Sequence, residues 1–162
     1  MIPVTILTVS FNAEGTIART IESVMKQTYS NIEYIVIDGA STDRTAEIAR
    51  SYIEEFSKRE GRSMQVICEP DKGMYDALNK GAALAHGEIA GQINADDWYE
   101  PDAVQTMAEL YEREGYDLAW GSLNVITKAG SFVKHARKGM FWSTSHWCHP
   151  AAFARREILL EY

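Results

Sequence analysis

Ile32-Glu33-Tyr34-Ile35-Val36-Ile37-Asp38-Gly39-Ala40-Ser41-Thr42-Asp43 decides the fold class. Residues 32–37 are apolar at every position but Glu33, and they run straight into a polar turn. A strand apolar on both faces belongs inside a parallel sheet covered by helices above and below. Ser41 and Thr42 are residue types that cap helices, so the segment predicts a strand, a turn and a second helix with Ala46, Ile48, Ala49 and Ile53 inward. Working outward, residues 4–9 read as a first buried strand, and residues 14–27 place Ile17, Ile21, Val24 and Met25 at helical spacing. Downstream, residues 65–68 read as a third strand and residues 74–85 as a small-residue helix stopped by Gly87. Residues 88–93 form a fourth strand, residues 102–114 a helix with Pro101 at its start, and residues 117–123 a fifth strand. A turn at Lys128-Ala129-Gly130, short strands and a helix from Arg155 follow. This alternation predicts an α/β fold, an open and mostly parallel sheet with helices on both faces.

The 162 residues are 46% hydrophobic and 10% aromatic, which disfavours disorder. No linker, repeat or composition shift divides them, so residues 1–162 read as a single domain. Two cysteines, Cys68 and Cys148, exclude a disulfide scaffold. An excess of 23 acidic over 16 basic side chains, for a net charge of −7, argues against a nucleic-acid partner. The N-terminus lacks a basic stretch ahead of its apolar run, and no apolar stretch approaches the ~20 residues that span a bilayer. With the unpaired cysteines added, the expected setting is a reducing cytoplasm.

Ligands of open α/β sheets bind beyond the carboxyl ends of the strands. Here the first strand ends in Ser10-Phe11-Asn12 and the second in Asp38-Gly39. The third ends in Glu69-Pro70-Asp71-Lys72-Gly73 and the fourth in Asn94-Ala95-Asp96-Asp97. Two adjacent carboxylates leaving a buried strand repel each other unless a cation sits beside them. Hard divalent ions such as Mg²⁺ or Mn²⁺ take one or two carboxylates plus phosphate oxygens. The alternative for Asp96 or Asp97 is capping of the helix near Pro101, and Asp38 at a turn could serve as a cap in the same way. Asp43 reads as a local starter of the second helix, while Asn79 and Lys80 are unusual choices on a packing helix.

These motifs resemble the family 2 glycosyltransferases. The matching segments are Thr8-Val9-Ser10-Phe11-Asn12, residues 27–31, residues 35–45, residues 69–81 with Tyr75-Asp76-Ala77-Leu78-Asn79-Lys80-Gly81, residues 85–88, and Asn94-Ala95-Asp96-Asp97-Trp98. They are similar, in order and spacing, to bacterial members that build lipopolysaccharide, capsule or exopolysaccharide. The resemblance implies a GT-A fold with its nucleotide-binding part at about residues 1–100. It implies that Ser10, Phe11 and Asn12 line a nucleotide pocket, that Asp38 holds the base, and that Asp71 and Lys72 lie near the nucleotide and diphosphate. Asp96 and Asp97 correspond to the family's Asp-x-Asp motif, with Asp97 the direct ligand of Mn²⁺ or Mg²⁺ and Asp96 nearer the ribose or donor sugar.

The implied reaction is inverting transfer from a nucleotide-diphosphate sugar, a UDP-sugar above all, to a saccharide or lipid-linked acceptor, with peripheral contact at the inner membrane face. Such a reaction needs a carboxylate base, which the family sets after a motif that reads His149-Pro150-Ala151-Ala152-Phe153-Ala154-Arg155-Arg156 here. Glu157 and Glu161 do not match its position, so the base is expected beyond Tyr162 and the chain reads as cut short on its acceptor side. His149 is a candidate acceptor or metal contact, and Trp142 and Trp147 are candidate sugar platforms. Cys68 reads as a small hydrophobe, and Cys148 lacks zinc-site spacing. Two alternatives stand beside this reading. A sugar nucleotidyltransferase would carry a Gly-rich, basic loop where this chain has Ser10-Phe11-Asn12-Ala13-Glu14, and a non-catalytic nucleotide-sugar-binding module would dispense with the base.

Overall fold

The computed structural model describes residues 1–136 and 149–161. Strand β1 (Val4–Ser10) is followed by α1 (Ile17–Met25), β2 (Ile32–Asp38), α2 (Thr45–Ser51), α3 (Ile53–Ser57) and β3 (Arg62–Cys68). Then come α4 (Met74–Leu84), β4 (Ile89–Asn94), α5 (Ala103–Glu114), β5 (Leu118–Trp120), the hairpin β6 (Leu123–Thr127) and β7 (Gly130–Lys134), a 3-10 turn (His149–Ala151), β8 (Ala152–Arg155) and α6 (Arg156–Glu161). The main sheet has the order β3-β2-β1-β4-β8-β5, while β6 and β7 form a separate ribbon.

The apolar run of residues 32–37 forms β2, as its pattern predicts. In β2, Ile32, Tyr34 and Val36 join a core beneath α1, α3 and α5, and Ile35 and Ile37 face a second core beneath α4. β2 pairs in parallel with both β1 and β3, so its two edges are taken while the two cores cover its faces. Close packing of α4 depends on its small residues. A Cβ on Gly81 would stand 3.2 Å from Leu7 and 3.3 Å from Ile37.

The open, mostly parallel α/β sheet holds for β3-β2-β1-β4, and three local readings are corrected. The second helix starts at Thr45, because Ser41 and Thr42 are engaged in loop contacts, and it breaks at Tyr52 into α2 and α3. Strand β3 begins at Arg62, three residues early, in register with β2. Finally, β8 enters antiparallel between β4 and β5, which leaves β5 only three residues long. Among the described residues no helix is long and apolar enough to cross a membrane.

Candidate functional site

Strand order reverses at β1, since β2 and β3 extend the sheet to one side and β4 to the other. A crevice opens at such a switch point, beyond the strand ends. Here it is a cleft of about 800 Å³ whose lining includes Ser10, Phe11, Asn12, Gly39, Asp71 and Asp96. Sequence reasoning placed five of these six. Phe11 presents an aromatic face that is 64% exposed.

The cleft's outer wall is made of two loops held together by reciprocal hydrogen bonds. Asn12 N donates to Ser41 Oγ, and Thr42 N donates to Asn12 Oδ1. Ala13 N donates to Thr45 Oγ1, Glu14 N to Asp43 Oδ2, and Arg44 N to Glu14 Oε2. These contacts hold Asn12 and Ala40 in the left-handed region, at φ 48° and 59°, a conformation that costs alanine most. Asp43 starts α2 as expected, accepting from Thr45 N and Thr45 Oγ1.

Asp38 anchors this arrangement from below. It is fully buried. Its Oδ1 accepts from Ser10 Oγ and Ser41 Oγ, and its Oδ2 accepts from Ser41 N and the Cys68 thiol. A carboxylate has about four acceptor sites, and all are used, so a nucleobase contact at Asp38 would have to displace one of these donors. Cys68 is thus more than a small hydrophobe. Its hydrogen bond to Asp38 and its burial both push the thiol upward in pKa.

The β3–α4 loop forms the opposite lip. Asp71 Oδ1 accepts from Gly73 N, while its Oδ2 closes over Gly39, where any Cβ would collide with it. Lys72 is exposed and does not line the cleft; its backbone N donates to Asp76 Oδ2. Lys80 does local work that the sequence left open. Its Nζ donates to Pro70 O at 2.8 Å and pairs with Glu69 at 2.9 Å, which ties the loop to α4.

Asp96 and Asp97 leave β4 in a turn, far enough ahead of α5 that neither caps it. Asp96 is exposed on the main cleft. Asp97 is half-buried and lines a second cavity of about 260 Å³ between the start of α5 and the β5–β6 connection, with Trp98, Tyr99, Ser122 and Asn124 among its walls. Helix α1 braces the turn, because Thr20 Oγ1 donates to Asp97 O at 2.8 Å and Arg19 stacks on the Trp98 ring. Burial, and then the charge of Asp96, push the Asp97 carboxyl up from its ordinary range. Among the described residues neither carboxylate has a hydrogen-bond or ion-pair partner, and no cluster of three metal-ligating side chains forms. Two adjacent, unpartnered acids, one of them partly desolvated, fit a divalent ion that completes its shell with phosphate oxygens and water.

His149 opens the 3-10 turn that leads into β8. Its side chain, like Trp142, Trp147 and Cys148, lies outside the described residues. Sequence reasoning missed the inter-loop bonds of Ser41 and Thr45, the Cys68–Asp38 contact and the Arg19–Trp98 stack. Only Ser41 carried a signal, as a capping residue that sits too early for the helix.

The family model described as glycosyl transferase family 2 matches residues 5–160. A PGL/p-HBAD biosynthesis glycosyltransferase of Mycobacterium bovis is 31% identical over 157 residues, covering 92% of this chain and 57% of its own length. S. aureus TarS, solved with UDP-GlcNAc, superposes with a TM-score of 0.77 at 18% identity, over 98% of this chain and 47% of TarS. The mannosyltransferase PcManGT from Pyrobaculum calidifontis, solved with GDP-Man and Mn²⁺, gives 0.76 at 18% identity, over 99% and 46%. The fold is therefore that of the GT-A glycosyltransferases. The chain spans less than two thirds of the length of the curated relatives it matches.

Proposed function

The chain belongs to glycosyl transferase family 2, and from that premise we propose that it binds a nucleotide-diphosphate sugar, a UDP-sugar above all, in the cleft at the β1–β4 switch point. The proposed reaction is transfer of the sugar, with inversion, to a saccharide or lipid-linked acceptor. The observation that carries this reading is the meeting of four strand ends at one cleft, with Asp96 on it and Asp97 beside it, neither side chain having a partner among the described residues. Two similar folds, one solved with UDP-GlcNAc and the other with GDP-Man and Mn²⁺, support the ligand class.

In this reading Phe11 packs against the base and Asn12, fixed by Ser41 and Thr42, shapes the nucleoside wall. Asp38 acts through Ser10 and Ser41, holding the wall in place. Asp71 closes the opposite lip, and exposed Lys72 lies close enough in sequence to meet the donor's negative charge. Asp96 and Asp97 would hold Mn²⁺ or Mg²⁺, which when bound supplies Lewis-acid stabilisation of the leaving diphosphate. The net charge of −7 is compatible with an anionic donor on this account, because the acids at the rim face a cation. The cavity beside Asp97, with Trp98 and Asn124 in its wall, suits the hydroxyl-rich acceptor side.

Calorimetric titration with UDP, GDP and UDP-hexoses, with and without Mn²⁺, tests the proposal. Tight binding only with the divalent ion, together with slow release of free sugar, is the expected result. Failure of every nucleotide to bind in the presence of Mn²⁺ overturns it. Binding without any hydrolysis or transfer favours the non-catalytic module instead.

A further inference from the structure

We propose that the β6–β7 hairpin is a membrane-docking element that inserts its tip among the headgroups of an anionic lipid surface. Its exposed apolar side chains are Ile126, Phe132 and Val133, at 55%, 58% and 52% exposure. The ribbon belongs to neither face of the main sheet. Register places Phe132 opposite Val125 and Ile126 opposite Ser131. Adjacent residues of a strand point to opposite faces, so both faces of the ribbon are apolar near the tip. A headgroup layer receives both apolar faces of such a ribbon at once. Strand rise puts Ile126 and Phe132 within about 10 Å of the turn, which matches the ~5–10 Å depth reached by interfacial elements.

Charge selects the lipid. From Leu118 to Arg156 the sequence contains no Asp or Glu, although the whole chain carries −7. Lys128 stands in the turn and Lys134 at the end of β7. An acidic protein is repelled by an anionic bilayer except where an acid-free element such as the hairpin faces it, and attraction near the surface is worth most within a Debye length.

The test is co-sedimentation of the purified protein with vesicles of phosphatidylcholine alone or with ~30 mol % phosphatidylglycerol. Binding to the anionic vesicles only, weakened by ~0.5 M NaCl, is expected. The double substitution Ile126→Ser with Phe132→Ser should lower partitioning at least about five-fold, and Lys128→Glu should lower it several-fold. Circular dichroism and UDP titration of each variant separate this result from misfolding and from failure of the donor reading. No binding by the unaltered chain, or unchanged partitioning of the double variant, overturns the proposal. So does a lipid-free dimer that dissociates on Phe132→Ser, since the hairpin would then be an interface between copies.

Discussion

Asp96 and Asp97 are consecutive in the chain and open onto different cavities, Asp96 onto the 800 Å³ cleft and Asp97 onto the smaller space beside α5. Because burial and Asp96 both raise the Asp97 carboxyl, its ionisation costs the folded state free energy at neutral pH. The raised group binds its proton more tightly when folded, so this cost grows as the pH rises through its folded value and is absent well below it. Asp97→Asn is expected to raise the melting temperature of the metal-free protein by on the order of 2 °C at pH 7, and to abolish Mn²⁺-dependent UDP binding. Scanning calorimetry and UDP titration check the two halves; a lower melting point would count against the electrostatic account.

Ser41 is the bridge between Asp38 and Asn12, donating to one and accepting from the other. Ser41→Ala leaves Asn12 N without its partner and frees one site on a buried carboxylate. The expected loss is about 1–2 kcal/mol of stability, with UDP affinity falling several-fold more than that of a distant control variant. Urea denaturation and calorimetry provide the measurements.

Arg62 is buried, and its guanidinium donates to four carbonyls, those of Val24, Met25, Gln27 and Tyr29. Burial and then Arg59 lower its pKa to about 10, still protonated at neutral pH. Arg62→Met strands these carbonyls at and just beyond the end of α1, and a loss of about 3 kcal/mol in urea denaturation is expected. Arg62→Lys should recover only part, because an ammonium cannot reproduce the planar fork.

On the neighbouring strand β2, Glu33 accepts from Thr5 Oγ1 and His86 N and lies 2.8 Å from His86 Nδ1. Burial raises the Glu33 carboxyl, but these bonds together outweigh it and hold the group below its ordinary value of 4.5. Its stabilisation is therefore whole above that value and fades as the pH falls through the lowered folded pKa. Glu33→Gln should cost about 1 kcal/mol at pH 7, and the gap from the unaltered protein should close in acid. Denaturation midpoints measured across that range decide it.

Gly91 sits where β8 crosses β4. A Cβ there would lie 2.5 Å from the ring of Phe153, which is itself 1% exposed and has no room to retreat. Gly91→Ala is expected to destabilise by about 2 kcal/mol, and Phe153→Leu in the same chain should restore part of the loss in thermal melts.

The parallel half of the fold was legible because its strands are written as apolar runs, as in residues 32–37, and its strand ends as polar turns. That grammar also located the cleft, since the carboxyl ends of parallel strands all lie along one side of the sheet. It could not locate β8. Ala152-Phe153-Ala154-Arg155 has little strand character of its own, and its conformation is imposed by the edge of β4 and by the ring of Phe153 against Gly91. Nor could spacing reveal that Asp38 is saturated by its neighbours, or that Asp96 and Asp97 part company, because both depend on loops closing in three dimensions. Lys80, ambiguous in sequence, became interpretable only when Pro70 O and Glu69 were found within its reach.

The insertion of β8 beside β4 also sets an order of assembly during synthesis. The four parallel strands are complete once Asn94 has been made, yet the free edge of β4 has no partner until residues 152–155 leave the ribosome. Throughout that interval the nascent chain displays an unpaired strand edge, the feature most prone to wrong pairing. Over that stretch of translation the edge of β4 is open to pairing with the wrong strand.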